Sequence, residues 1–269
     1  MIDYANLTMS YRVLVGMQEF RQAADLEIAI WGLNPRDAVP VNLVQALSHA
    51  GGAMHGAFDG TALVGIAFAF PARMDGEIIL WSHMTGVHSD YQGTGIGYRL
   101  KCHQRDWALL RGYTVMGWTF DPLQRGNANF NLHRLGATAR IYHANFYGIM
   151  QDEINRADLP SDRLEMRWDI TNPHREHPQK RKLVDTTKPE FPLLLRNSGG
   201  SPVLAALDQN QPVYFAQIPT VLAALPDLQC LLDWRFALRD ALSNAFASGY
   251  TAVDFDTEYG YLLTRAEHN

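Results

Sequence analysis

The chain has 269 residues, 47% hydrophobic and 19% charged, enough to bury a sizeable core in one large domain or one domain with a smaller partner. A net charge of -5 argues against a surface that tracks nucleic acid along its whole length, although a local pocket can still be positive. The two cysteines, Cys102 and Cys230, lack the spacing of a zinc site and are too few for a disulfide framework, so no metal is expected. MIDYANLTMS at the N-terminus has no basic segment leading into an apolar one, and no stretch approaches the length of a membrane span. The expectation is a soluble, cytoplasmic protein with no membrane partner.

In chain order, Tyr11 to Val15 reads as a short strand. Met17 to Trp31 carries Phe20, Ala24, Ile28 and Trp31 at helical spacing, and Gly32 stops the helix. A second helix covers Val41 to His49, closed by Gly51-Gly52. A meander follows: a strand from Ala53 to Phe58, a turn at Asp59-Gly60, a strand from Thr61 to Ala69, a turn at Asp75-Gly76, and an apolar strand from Glu77 to His88.

Beyond the string YQGTGIGYRL, Ile96, Leu100, His103, Trp107 and Leu110 share one helical face, ending at Gly112. Tyr113 to Phe120 is a strand, Asn127 to Leu135 a short helix capped by Gly136, and Ala139 to His143 and Arg163 to Ile170 are strands. Residues 171–189 have no apolar period and read as a linker or surface loop. In residues 190–269, Val213 to Ala216 is a strand and Leu231, Trp234, Leu238, Leu242 and Ala245 form a helical stripe. Tyr250 to Phe255 and Tyr259 to Thr264 form a hairpin. RGYTVMGWTFD (111–121) echoes SGYTAVDFD (248–256); we read the echo as a shared helix–Gly–strand junction.

Strand, then Gln92-x-x-Gly95-x-Gly97, then helix is an arrangement that binds anions. A helix start leaves backbone N–H groups without partners at the positive end of the dipole, and glycines let that backbone approach a phosphate. A P-loop would need Lys-Ser or Lys-Thr after its last glycine, where this chain has Tyr98-Arg99. A dinucleotide fingerprint would need glycines at other spacings after the first strand of a βαβ unit.

Gln/Arg-x-x-Gly-x-Gly/Ala between an apolar strand and an amphipathic helix resembles the acyl-CoA pyrophosphate loop of the GNAT acetyltransferase superfamily. The element order over roughly residues 9–170 matches that fold as well. VHSDYQGTGIGYRLK, with GWTFDPL, NFNLHRLGA and DRLEMRW, resembles a little-characterised bacterial subgroup of it. The resemblance implies an α/β (α+β) fold with a mixed, mostly antiparallel sheet flanked by helices. On that reading residues 1–170 are the acyltransferase domain and 190–269 a C-terminal α/β extension. It implies acetyl-CoA or another acyl-CoA as co-substrate, with the pyrophosphate on the N–H groups of Gln92, Gly93, Thr94, Gly95, Ile96 and Gly97. Gly86, Val87 and His88 would hold the pantetheine arm in the manner of an added strand. It further implies direct acetyl or succinyl transfer to a small-molecule amine, an amino acid among the acceptors.

Acyl transfer to an amine needs a neutral amine, a stabilised oxyanion and a proton for the departing thiolate. In EIILWSHMTGVH, strict alternation sets Trp81, His83, Thr85 and Val87 on one face and Ser82, Met84 and Gly86 on the other. His83, ordinarily titrating near neutrality, is the candidate base, with a buried structural histidine as the alternative. Asp121, at the end of the next strand, could hold an ammonium or relay a proton, or could simply shape the turn before Pro122. Many GNAT proteins carry a tyrosine acid where this chain has Leu132. Tyr147 is the preferred replacement hydroxyl, with Tyr142 the alternative. Asn127 and Asn131 could hydrogen-bond CoA. Arg125, Arg140 and Arg163 could each meet a substrate carboxylate.

The alternative function is a catalytically inactive CoA-binding sensor or assembly module, which the missing tyrosine favours. The C-terminal region is left with three open roles: covering the acceptor, forming a homodimer, or completing the sheet.

Overall fold

The alternation of apolar runs and turn residues between positions 53 and 88 folds into the expected antiparallel meander. The computed structural model describes residues 8–148, 158–172 and 192–265. Its contacts separate two units. Among the described residues the first holds 8–118 and 169–171, and the second holds 119–148, 158–168, 172 and 192–265. These contacts divide the chain inside a strand, near residue 118. The linker expected over 171–189 falls almost wholly outside the described residues.

In the first unit the order is β1 (Met9–Val13), α1 (Gly16–Trp31), α2 (Val41–His49), β2 (Ala53–Asp59), β3 (Ala62–Met74), β4 (Glu77–Val87), α3 (Ile96–Leu109) and β5 (Val115–Phe120, in this unit to Trp118). The strands lie in the order β1-β2-β3-β4-β5. All pairs are antiparallel except β4 with β5. The β3–β4 turn is Asp75-Gly76, with φ of 49 and 83 closing the pair Met74 and Glu77.

The sheet is apolar on both faces. Phe20, Val44, Met54, Ile66 and Phe68 pack beneath α1 and α2, while Ala57, Val64 and Ala67 receive Ile96 and Leu100 of α3. Removing such side chains from water is the main force holding the layers together. Two expected faces shift. The buried stripe of α1 is Phe20, Ala23, Leu26 and Glu27 rather than the Ala24–Ile28 row. Leu110 ends α3 and is 86% exposed, while Lys101 and Gln104 take places on the buried face.

In the second unit the helix expected over 127–135 begins as α4 (Arg125–Ala128) and widens into a π-helical turn, Asn129–Arg134. Leu135 N–H reaches back five residues to Phe130 O (3.0 Å). The strands are β6 (Thr138–His143), β7 (Arg163–Asp169), β8 (Leu193–Ser198), β9 (Ser201–Leu204), β10 (Val213–Ala216), β11 (Tyr250–Asp256) and β12 (Gly260–Arg265), with α5 spanning Leu228–Ala247. They run in the order β7-β6-β11-β12-β10-β8-β9, and only β10 with β8 is parallel.

Of the three roles left open for the C-terminal region, β11 takes up the third by pairing with β6 at Ala252 and Ala139. The β8–β9 hairpin was not expected from the sequence. Its signal is the run Leu193-Leu194-Leu195 followed by Gly199-Gly200. The stripe expected on α5 is buried throughout, and Trp234 also donates to Gly200 O (2.8 Å). The echoed junctions share a left-handed glycine between a helix and a strand, Gly112 (φ 80) and Gly249 (φ 85). β5 joins a parallel neighbour, whereas β11 lies between two antiparallel ones.

Among the described residues no helix is long and apolar enough to cross a membrane, and no group of three metal-ligating side chains forms.

Candidate active site

The turn into α3 is built from main chain. Gly93 (φ 78) and Gly95 (φ 86) are left-handed, and a Cβ added to either would meet no protein atom, so that backbone stands bare. The first bond into the helix is Arg99 N–H to Gly95 O (3.1 Å). The N–H groups of Gly93, Thr94, Gly95, Ile96 and Gly97 therefore have no partner among the described residues. Gln92 departs from expectation. Its N–H is taken by Ser89 O (3.2 Å) and its side chain donates to Val87 O (3.1 Å). The hydroxyl of Thr94 donates to Tyr91 O (2.6 Å), and the Ile96 side chain is core.

β4 leads into this turn with one edge open, because its pairing with β5 covers only Leu80 and Trp81. His88 N–H is taken by Val64 O (2.9 Å). The antiparallel alternation set by that bond points the main chain of Gly86 toward β3. It turns the N–H and C=O of Val87, and of Thr85 before it, to the open edge. Gly86 is required for packing: a Cβ there would lie 2.6 Å from the Trp31 ring. Of the three residues expected to hold an extended ligand arm, Val87 alone turns its main chain to that edge, and its C=O already accepts from the Gln92 side chain.

A bulge overturns the expected alternation of β4. Phe68 opposes Met84 and Ala69 opposes Ser82, which leaves His83 as the extra residue. His83 accordingly shares the α1–α2 face with Met84, its ring 6.4 Å from Phe68 and 6.0 Å from Phe70. His83 is exposed on its outer side, and partial desolvation beside these rings holds its pKa below the usual histidine value.

Ser82 turns the other way, toward α3. It donates to Gln104 Oε1 (2.7 Å) and accepts from Lys101 Nζ (2.7 Å). Lys101 is only 3% exposed, pairs with no carboxylate among the described residues, and sits 4.0 Å over the Trp118 ring. Burial pulls its pKa down to about 7. Beside it, fully buried His55 meets His103, Nδ1 to Nδ1, at 3.1 Å. Burial, then the neighbouring imidazole, pushes His55 down to about 3. Sequence reading missed this group; its signal was a lysine and a glutamine on an otherwise apolar helical face.

In the second unit Asp121 is engaged from the C-terminal helix. Arg235, 1% exposed, donates to both carboxylate oxygens (2.7 and 2.9 Å), and Leu123 N–H adds a third bond (3.0 Å). That leaves little capacity for an ammonium or a relayed proton. Tyr142 donates to Asp162 (2.7 Å), and burial with that carboxylate raises its pKa, which removes it as a ready acid. Tyr147 is exposed, its hydroxyl 3.5 Å from Thr119 Oγ1 and its ring 5.2 Å from the Arg163 guanidinium. Asn127 is exposed on α4 and Asn131 is buried. Leu132 is fully buried in the core. One residue on, His133 Nδ1 lies 3.0 Å from Asp254 Oδ1, a pair 121 residues apart in sequence.

An antiparallel meander, a bulged fourth strand open along one edge, and a glycine turn feeding bare amides into the next helix define the architecture. This is the element order and strand pairing expected from the resemblance to the GNAT fold. No family model matches the chain, and no curated protein does. Solved structures are similar to it at low identity. The ribosomal-protein-S18-alanine N-acetyltransferase from Escherichia coli is 15% identical with a TM-score of 0.49, covering 61% of this chain and 94% of its own. Arabidopsis thaliana Naa50, in complex with the bisubstrate analogue CoA-Ac-MVNAL, is 15% identical with a TM-score of 0.47, covering 60% and 98%. The IAA acetyltransferase from Bacillus cereus is 13% identical with a TM-score of 0.46, covering 60% and 99%. Leu132, where the resemblance leads one to expect a tyrosine, is a core residue on a helix whose π turn changes its register.

Proposed function

We propose that the chain is an acyl-CoA-dependent N-acyltransferase that transfers an acetyl or succinyl group to the amine of a small molecule, amino acids among the acceptors. The observation that carries this reading is the row of five unpartnered backbone N–H groups from Gly93 to Gly97, which fits the diphosphate of CoA. The open edge of β4 at Thr85 and Val87 fits an extended pantetheine arm. No metal is required.

In the transfer the amine nitrogen attacks the thioester carbon. A C–N bond forms, the C–S bond breaks, and the amine proton passes to His83. A pKa below the usual histidine value keeps His83 neutral, and so able to accept that proton, across the neutral range. We assign the proton for the departing thiolate to the Tyr147 hydroxyl, and solvent restores both groups. Asp121 is assigned no proton, since Arg235 and Leu123 already occupy its carboxylate.

The test is free-thiol release from acetyl-CoA and succinyl-CoA against a panel of amino acids and other small amines, with CoA binding followed by calorimetry. Thiol release that depends on an amine supports the proposal. The full burial of Leu132 favours a second reading, a CoA-binding module without chemistry, which tight binding with no release would establish. Absence of both would remove the donor-site assignment.

A further inference from the structure

The C-terminal helix ties off a second carboxylate. Asp162, whose side chain is fully buried, receives four hydrogen bonds. Arg239 supplies two, Nε to Oδ2 (2.9 Å) and Nη2 to Oδ1 (2.7 Å). The Tyr142 hydroxyl gives the third (2.7 Å) and Asn145 N–H the fourth (2.9 Å). One carboxylate therefore joins β6, the turn that leaves it, the start of β7, and α5. Arg239 follows Arg235 by one helical turn, so a single helix edge delivers both guanidinium groups.

The turn fixed in this way carries Tyr147. Asn145 has a left-handed φ of 47, a conformation its Asp162 contact helps to hold. Phe146 N–H bonds to Ser161 O (3.0 Å) and Tyr147 N–H to Ser161 Oγ (2.9 Å), both on the residue before Asp162. Arg163, the residue after it, holds its guanidinium over the Tyr147 ring. Among the described residues, the backbone amides of Asn145, Phe146 and Tyr147 are thus held by Ser161 and Asp162, and the exposed Tyr147 phenol stands on that base.

We propose that Arg239 is a positioning residue for the acyl-transfer step. By clamping Asp162 from the C-terminal helix, it sets the Asn145–Gly148 turn and with it the Tyr147 hydroxyl. The inference rests on the role assigned above to Tyr147. It gives the C-terminal region a task in chemistry beyond extending the sheet. A bidentate guanidinium suits that task because it fixes the orientation of the carboxylate as well as its charge.

The experiment is a double-mutant cycle in the full chain, Arg239→Gln against Tyr147→Phe, read as kcat for thiol release with the best-used amine and acyl donor. Each single change is expected to lower kcat about 10-fold, and the pair together little more than either alone, because both remove the same hydroxyl placement. CoA affinity should stay within about twofold in all variants, and Arg239→Lys should recover part of the loss. Multiplicative losses, about 100-fold in the double variant, would assign Arg239 to general stability and overturn the proposal.

Hydrogen exchange separates this outcome from failure of the acyltransferase reading itself. In Arg239→Gln the amides of Phe146 and Tyr147 should exchange at least about 10-fold faster, with α3 unchanged. If the parent chain turns over no amine, this arm decides alone, and unchanged exchange at those two amides sinks the positioning claim.

Discussion

Each unit buries a cation on a helix, and the two treat it in opposite ways. Lys101 in the first unit has a hydroxyl and an indole face for company, and its pKa falls to about 7. Arg235 in the second is equally buried, and there too burial acts against the charge. The Asp121 carboxylate outweighs it, and the guanidinium is held above its ordinary value. An unpaired charge in a low dielectric yields by losing its proton, whereas a paired one with bidentate geometry stays ionised. The diphosphate site proposed for the first unit is main chain, and bare amides need no charged side chain beside them. The second unit ties distant segments together, and paired charges supply directional links for that.

The largest effect should come from breaking the paired case. Arg235→Ala strands the Asp121 carboxylate and should cost about 3–5 kcal/mol in urea unfolding, whereas replacing both partners by apolar residues of similar volume should cost far less. Equal losses in the two variants would mean that packing rather than charge governs the site.

Next is the main-chain claim. Gly95→Glu puts a side chain and a negative charge among the amides and should weaken CoA binding about 10³-fold by calorimetry. The φ of 86 at this position adds a folding cost of about 1 kcal/mol, to be measured separately by thermal unfolding. Undiminished affinity would place the diphosphate elsewhere.

His83→Ala should lower kcat/KM about 10²-fold at neutral pH while CoA binding holds. In the parent chain the rate should fall as pH drops through a value below the usual 6.5, where His83 gains its proton. That limb should vanish in the variant; its persistence would clear His83 of base duty.

The smallest expected effect concerns Lys101. Its folded pKa lies below the unfolded value of 10.5, so its burial penalty is full below pH 7 and fades as pH rises toward 10.5. Stability should therefore climb by about 2 kcal/mol over that window, allowing for relaxation around the buried group. Lys101→Met should remove the climb. An identical pH slope in both proteins would show that Lys101 stays charged in the folded state.

Glycines, turn residues and apolar periods determine only what a chain does locally, and on that scale the sequence read well. The meander, the Asp75-Gly76 turn, the α3 start at Gly95 and the α5 stripe all lie where their residues put them, because each rests on backbone freedom or side-chain period within a few residues. The glycine turn into α3 was legible for the same reason. Tertiary structure alone decided the rest. A single extra residue in β4 sent His83 to the face opposite the expected one, and no residue type announces a bulge. A π turn altered the helix at Leu132. The partners of Asp121 and Asp162 lie 114 and 77 residues away, and composition does not say which arginine meets which carboxylate. Local conformation is written in neighbouring residues; a buried charge is settled by whichever partner the folded chain brings to it.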